Sequence, residues 1–184
     1  MTNATGGRGP RVKNIFLTGP PNSGKTTVIK KVLSCLKRPG RGFHTQEIKR
    51  DGRRVGFMMV TTDGKEGLLA HEEIESAFSV RRYGVSIENI AHIAVPSIIT
   101  KFDEEIIILD EIGKMECYSE RFREAALKAL DSKNIVLGTI AVGGDTFIRE
   151  IKARNDVKLY EVTLENRDRL PRVLIEEMES LGCG

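Results

Sequence analysis

The chain has 184 residues, with 29 Lys and Arg, 26 Asp and Glu, and a net charge of +3. This length suits one domain with a sheet covered on both faces. The balanced charge and the 5% of aromatic residues argue against a dedicated nucleic-acid surface. No stretch approaches the ~18 consecutive apolar residues of a membrane helix, and the three cysteines lack the spacing of a disulfide framework or zinc site. We expect a soluble, cytoplasmic protein with a flexible arm at 1–11 and one domain at 12–184.

A glycine-rich loop follows the first predicted strand, residues 14–18, and precedes a helix with an apolar stripe at residues 28–36. The loop matches G-x-x-x-x-G-K-[ST], the phosphate loop. Its residues are Gly19, Pro20, Pro21, Asn22, Ser23, Gly24, Lys25 and Thr26, and Thr27 follows them. This strand, loop and helix together predict a binding site for a nucleoside triphosphate.

The chemistry of phosphate binding assigns a role to each part of this loop. Pro20 and Pro21 have no N–H, so the cradling amides are predicted at residues 22–27. The residues that open the helix favour an anion, because their amides are unsatisfied and the helix dipole is positive there. Lys25 is predicted to contact the β- and γ-phosphates and Thr26 to bind Mg²⁺. We also expect a positive φ at Asn22.

An antiparallel meander is predicted at about 43–70. Asp-Gly pairs begin at Asp51 and Asp63, and this dipeptide is a hairpin signal between β-rich segments. Because residues 57–60 form a continuous apolar run, we expect that strand to be buried on both faces, or on one face plus a partner. His44 should emerge near the phosphate loop, although a packing or surface role is the favoured interpretation.

The second half of the site follows a run of four aliphatic residues at 106–109, which is typical of a central parallel strand. Asp110, at the carboxyl end of this strand, is predicted to hold Mg²⁺, and Glu111 is predicted to polarise or deprotonate the attacking water. The flanking residues counted with the nucleotide site are Ile107, Ile108, Leu109, Ile112 and Gly113. An alternative for Glu111 is a salt bridge with Lys114.

The rest of the chain alternates helices and strands, which predicts an α/β fold with a mainly parallel sheet and helices on both faces. The predicted segments are a helix at 87–99 bent or restarted at Pro96, a helix begun by Ser119, a strand at 134–141, a helix at 146–153, a strand at 157–162 and a helix at 169–181. Thr139 either packs or contacts the γ-phosphate. Asn166 and Arg167 are predicted to lie near the nucleobase, with Arg167 stacked on the ring; the alternative is that Asn166 caps the last helix.

Several motifs resemble the nucleoside-triphosphatases first described from thermophilic bacteria, a family with a human relative. They are the phosphate loop, G-F-x-T-x-E from Gly42, Y-G-V from Tyr83, D-E-I-G-K-M-E from Asp110 and E-N-R-D from Glu165. The resemblance covers about residues 13–181. It implies a P-loop NTPase core with a catalytic glutamate and slow, Mg²⁺-dependent hydrolysis of several nucleoside triphosphates. Asn22 and Ser23 stand where family members have Gly-Val.

Two other functions fit the same core. A nucleotide or small-molecule kinase would need an acceptor pocket and an arginine-rich lid, for which Arg81 and Arg82 are the nearest candidates. A nucleotide-dependent switch or adaptor would use slow hydrolysis as a timer, although the guanine-reading N-K-x-D is absent from the sequence. We expect nucleoside triphosphates as partners, no membrane, and a monomer.

Overall fold

The computed structural model describes residues 12–182, which form a nine-stranded mixed sheet with helices on both faces. The predicted arm at 1–11 lies outside the described residues, so the division into arm and domain stays a prediction. The strands are β1 Asn14–Thr18, β2 Gly40–Arg50, β3 Arg53–Thr61, β4 Glu66–His71, β5 Ser79–Val80, β6 Tyr83–Val85, β7 Ile106–Ile112, β8 Val136–Ile140 and β9 Val157–Glu161. Their order across the sheet is β5-β6-β4-β3-β2-β7-β8-β1-β9.

Six α-helical segments and two other helical turns connect these strands. The α-helices are α1 Lys25–Cys35, α2 Ile87–Asn89, α3 Val95–Ser97, α4 Glu120–Asp131, α5 Thr146–Ala153 and α6 Leu170–Gly182. A π-helical segment, Ile90–Ala94, joins α2 to α3, and a 3-10 turn, Glu116–Tyr118, precedes α4. Within residues 12–182, no helix is long and apolar enough to cross a membrane.

The parallel half of the sheet runs from β2 through β7, β8 and β1 to β9. Alternate side chains of β7 enter two different cores. Ile106 and Ile108 pack with the apolar faces of α1 and α6, whereas Ile107 and Leu109 pack with those of α4 and α5. Because parallel strands share their direction, the carboxyl ends of β1, β7, β8 and β9 meet at one edge, where α/β folds bind ligands.

The predicted meander is present as β2, β3 and β4, and the two short strands β6 and β5 extend it. Asp51 and Gly52 form the β2–β3 turn with φ of 51° and 75°, as an Asp-Gly hairpin requires. β2 begins at Gly40 and pairs in parallel with β7, so the meander is continuous with the parallel half rather than separate from it. In this register His44 lies opposite Asp110.

The environment of β3 and the shape of the helix predicted at 87–99 differ in part from the predictions. In β3 Met59 is fully buried, whereas Met58 and Val60 on the other face are half-buried. Burial on both faces is therefore wrong, and burial on one face plus a partner stays a prediction. The helix predicted at 87–99 ends at Ser97, and its irregularity lies in the π-helical segment before Pro96 rather than at a restart. Pro96 cannot donate a backbone hydrogen bond, and an altered hydrogen-bond pattern just before it accommodates that loss.

Candidate active site

The phosphate loop lies between the end of β1 and the start of α1, as predicted. Asn22 has φ of 63°, and Gly19 and Gly24 have φ of 135° and 103°. Gly24 occupies the N-cap of α1, and within residues 12–182 no side chain makes a capping hydrogen bond to this helix N-terminus. The Ser23 amide donates to the Pro20 carbonyl at 3.3 Å and is used within the loop. The amides best placed for an anion are therefore those of residues 24–27 at the helix start.

The Lys25 side chain folds back onto the phosphate loop. Its ammonium donates to the carbonyls of Gly19 and Pro20 at 2.9 and 3.0 Å. The cation is thereby held at the mouth of the loop, within Coulombic reach of the carboxyl groups of Asp110 and Glu111.

Asp110 lies at the carboxyl end of β7 with 1% of its surface exposed. Its Oδ1 accepts a hydrogen bond from the Thr139 hydroxyl at 2.6 Å, whereas Oδ2 is buried and has no partner among the described residues. Burial raises the pKa of this carboxyl, and the nearby Thr139 and Thr26 hydroxyls act in the opposite direction. A buried carboxylate oxygen without a partner is costly, so Oδ2 calls for a cation or a proton.

Glu111 follows directly and is half-buried. Burial raises its pKa, Lys25 opposes that shift, and the Asp110 charge adds to it. No ion pair joins Glu111 to Lys114 within residues 12–182, and the Lys114 ammonium lies instead 5.9 Å from the centre of the Tyr118 ring. The alternative role of Glu111 in a salt bridge is therefore not observed.

The aliphatic residues that flank Asp110 and Glu111 on β7 pack into the hydrophobic cores on either side of the sheet. The side chains of Ile107, Leu109 and Ile112 lie in one hydrophobic core and that of Ile108 in the other. Only their backbone can face a ligand. Gly113 differs from them, because a Cβ added there would lie 3.0 Å from carboxyl oxygens of both Glu111 and Glu116.

The segment after β9 packs against the phosphate loop. A Cβ added at Gly24 would lie 3.4 Å from Cδ of Arg167, and one added at Gly19 would lie 2.7 Å from the Val162 carbonyl oxygen. Asn166 accepts from the Thr163 amide at 2.9 Å and donates to the Glu161 carbonyl at 2.8 Å. Its side chain therefore holds this segment rather than capping α6. Arg167 thus packs against the phosphate loop, and its place near a nucleobase stays a prediction.

For three residues near the site the sequence predicted either no role or two alternative roles. Thr139 binds Asp110 rather than projecting toward a phosphate. His44 is half-buried with Nε2 at 2.9 Å from Nε2 of Gln46, and burial, then the charge of Lys30, lowers its pKa. Glu116 is buried behind Glu111 with 4% exposure. Its place in a D-E-I-G-K-M-E block was the only sequence signal, because an isolated Glu gives no sign of burial.

Comparisons with known proteins show which family and fold this chain resembles. A family model described as NTPase matches residues 14–175. Nucleoside-triphosphatase THEP1 of Thermotoga sp. (strain RQ2) is 44% identical over 157 residues, which are 85% of this chain and 90% of that protein. The cancer-related nucleoside-triphosphatase of Homo sapiens is 37% identical over 176 residues, 86% of this chain and 92% of that protein. The crystal structure of THEP1 from Aquifex aeolicus superposes with a TM-score of 0.82 at 32% identity, covering 90% of this chain and 99% of that one.

Proposed function

This chain belongs to the NTPase family, with the P-loop fold of the THEP1 structure, and we propose that it hydrolyses nucleoside 5′-triphosphates to the diphosphate and phosphate. The family resemblance predicted from the sequence motifs is confirmed. The finer parts of the proposal are the use of ATP, GTP, CTP and UTP alike, a requirement for Mg²⁺, and slow turnover.

One observation carries the proposal. Oδ2 of Asp110, which has no partner among the described residues, is buried at the sheet edge where the N-terminus of α1, which has no side-chain cap, and the Lys25 ammonium also lie. An anion-binding helix end, a cation and an acidic oxygen that can bind a cation are the complementary partners of a metal–phosphate ligand. Two further buried hydroxyls without partners among the described residues, those of Thr18 and Ser23, lie in or beside the same loop.

The residues at this site fit Mg²⁺. Asp110 Oδ2 and the Thr26 hydroxyl are hard oxygen donors, and we propose them as its protein ligands. Within residues 12–182 no group of three or more His, Cys, Asp or Glu side chains is arranged to hold a metal. Mg²⁺ suits such a site because it takes one or two protein ligands and completes its shell with phosphate and water. Bound there, it would neutralise charge on the β- and γ-phosphates.

The other side chains take separate roles in the proposed reaction. Lys25 and the amides at the start of α1 bind and orient the phosphates, and they stabilise negative charge as the γ-phosphoryl group transfers. Glu111 accepts a proton from the attacking water. Lys25 supports this role, because its charge favours the ionised form of Glu111 against burial.

The experiment that tests the proposal measures phosphate release from each of the four nucleoside triphosphates, with no acceptor added, in Mg²⁺ and in EDTA. We expect release from all four in Mg²⁺ and loss of release in EDTA. Phosphate transfer only when a small-molecule acceptor is supplied would favour the kinase alternative and contradict hydrolysis. One residue considered for a kinase lid is poorly placed for that role. The Arg82 side chain already pairs with Glu72 and donates to the Arg54 carbonyl.

We extend the proposal to a cytosolic monomer. Cys35 and Cys117 are free thiols, which supports a reducing compartment. Light scattering on the purified protein measures the mass in solution, and a dimer mass would contradict the monomer.

A further inference from the structure

Glu116 is a buried acid that the proposed reaction does not use. It opens the 3-10 turn after β7 with 4% exposure, and its Oε2 accepts from the Gly113 amide at 3.2 Å. No ion pair involves this carboxyl within the part of the chain that the structure describes. A buried carboxylate without a cation is strongly unfavourable, so the group is held as a neutral acid.

The Glu116 carboxyl lies beside that of Glu111. A single point, the Cβ position at Gly113, is 3.0 Å from Oε2 of Glu116 and 3.0 Å from Oε1 of Glu111. The two oxygens therefore lie within twice that distance of each other. Only glycine at position 113 leaves this space open, and a side chain there would separate the two acids.

The surroundings of Glu116 favour a proton on its carboxyl group. Lys25 of α1 opposes the rise of the Glu111 pKa, whereas no cation within the described residues lowers the pKa of Glu116. On the Glu116 side, Arg123 of α4 is bonded to the Cys117 carbonyl and to Asp145 at the start of α5, and Lys114 lies over Tyr118. Burial, then the charge of Glu111 and more weakly that of Asp110, raises the pKa of Glu116 to about 8.

We propose that Glu116 is a positioning residue: its buried carboxyl group fixes the turn from Glu111 to Glu116 and holds the Glu111 carboxyl group aimed at the attacking water. This inference rests on the proposed role of Glu111. Glu116 accepts the Gly113 N–H through one oxygen and offers its O–H toward Glu111, directly or through one water molecule. It takes no proton from the reaction itself.

The test compares Glu116→Gln with Glu116→Ala. Gln is neutral, and its amide can accept from Gly113 and donate toward Glu111, so we expect kcat within about 3-fold of the parental value. Ala removes both contacts, and we expect kcat to fall about 10- to 10²-fold with KM little changed, as for a lost orienting partner. Glu124→Gln is the matched control, because Glu124 is an exposed carboxylate on α4. It should retain parental kinetics.

A pH profile separates positioning from a purely structural role. Ionised Glu116 would add a negative charge beside Glu111 and the phosphates, so parental kcat should decline as pH rises through about 8. Glu116→Gln should lack that decline.

The melting temperature supplies a second measurement, which does not depend on activity. The folded-state pKa is raised from 4.5, so the stabilisation is complete below pH 4.5 and is lost as pH rises toward 8. The melting temperature of Glu116→Gln should therefore exceed the parental value by more at pH 8 than at pH 5.

Each outcome has a definite meaning. Parental kinetics for Glu116→Ala, or a Glu116→Gln protein as impaired as Glu116→Ala, would overturn the inference. So would an unchanged alkaline limb in Glu116→Gln. If Glu116→Ala does not fold, the pH profile of Glu116→Gln still decides. If the parental protein releases no phosphate from any nucleotide, the proposed function fails and this inference fails with it.

Discussion

At the scale of single residues, Lys25 links the loop to the reaction. Its ammonium donates to the Gly19 and Pro20 carbonyls, which holds the charge at the phosphate loop. We predict that Lys25→Ala lowers turnover by at least ~10², as for a lost electrostatic contact in the transition state. The two lost hydrogen bonds are partly exposed and should cost on the order of 1 kcal/mol, which is about 2–4 °C in melting temperature.

The control for this prediction is Lys37→Ala, which removes an exposed lysine beyond the end of α1. It should hydrolyse ATP at the parental rate. If Lys25→Ala folds, with no more than the expected small loss in melting temperature, and also hydrolyses ATP at the parental rate, the assignment of the phosphate site is wrong.

Asp110 and Glu111 are adjacent but differ in environment, so we predict different effects of removing their charges. Glu111→Gln keeps the shape of the side chain and should retain nucleotide affinity, while turnover falls by the ~10²–10⁴ typical of a lost general base. Asp110→Asn should instead weaken Mg²⁺-dependent binding. Its amide can still meet the Thr139 hydroxyl, but it offers no charged oxygen in place of the buried Oδ2.

ATP affinity and single-turnover rate, measured on both variants, check this pair of predictions. If Glu111→Gln lost ATP binding but kept its rate per bound nucleotide, Glu111 would not be the residue that activates the attacking water. If ATP binding depended on Mg²⁺ equally in Asp110→Asn and in the parental protein, Asp110 would not be a ligand of the metal.

At the scale of elements, the sequence predicted best where local signals are complete. The helix predicted at 146–153 is α5 Thr146–Ala153, and Asp145 caps it by accepting from the Ile148 amide. Ser119 caps α4 in the same way. Apolar periodicity together with an N-cap residue marks the bounds of a helix locally, although packing of its apolar face supplies most of its stability, and the aliphatic run at 106–109 identified the central strand β7.

Prediction failed where tertiary packing decides. The apolar run at 57–60 does not reveal that Met58 and Val60 are only half-buried in β3. The start of β2 at Gly40 depends on pairing with β7, a partner more than 60 residues away in sequence. Burial of Glu116 and the contact between Thr139 and Asp110 arise from the convergence of separate strands, and no local pattern encodes either one.

The segment between β9 and α6 is the element from which we predict base selectivity. Arg167 packs along Gly24, and Asn166 fixes the segment through Glu161 and Thr163. If the guanidinium plane stacks on the base, the contact tolerates every base, because each has a π-face. ATP, GTP, CTP and UTP should then be hydrolysed within ~10-fold of one another, and Arg167→Ala should weaken all four similarly, by about 1–3 kcal/mol.

Arg172→Ala provides the control for this element, since Arg172 is an exposed arginine of α6 paired with Glu176. It should leave all four reactions unchanged. A preference of several hundredfold for one nucleotide, or a loss confined to one nucleotide in Arg167→Ala, would show that this segment reads the base by hydrogen bonds instead.

At the scale of the whole molecule, the site is assembled from parts that are distant in sequence. The phosphate loop follows β1, the two carboxyl residues lie near the carboxyl end of β7, Thr139 lies near the carboxyl end of β8, and Arg167 follows β9. All four parts lie at the same edge of one sheet, so a ligand that binds there contacts or neighbours four separate strand ends. Binding should therefore stabilise the entire fold rather than the loop alone.

We predict that this stabilisation depends on Mg²⁺. A ligand at ~100 times its Kd stabilises a folded protein by about 2.7 kcal/mol, which for a domain of this size is about 5–10 °C in melting temperature. Each of the four nucleoside diphosphates with Mg²⁺ should produce a shift of that order, and EDTA should reduce it. Diphosphates are the suitable probes, because hydrolysis does not deplete them during heating. A shift of the same size in EDTA would mean that Oδ2 of Asp110 is satisfied by a proton in the bound state and that the metal is not held there.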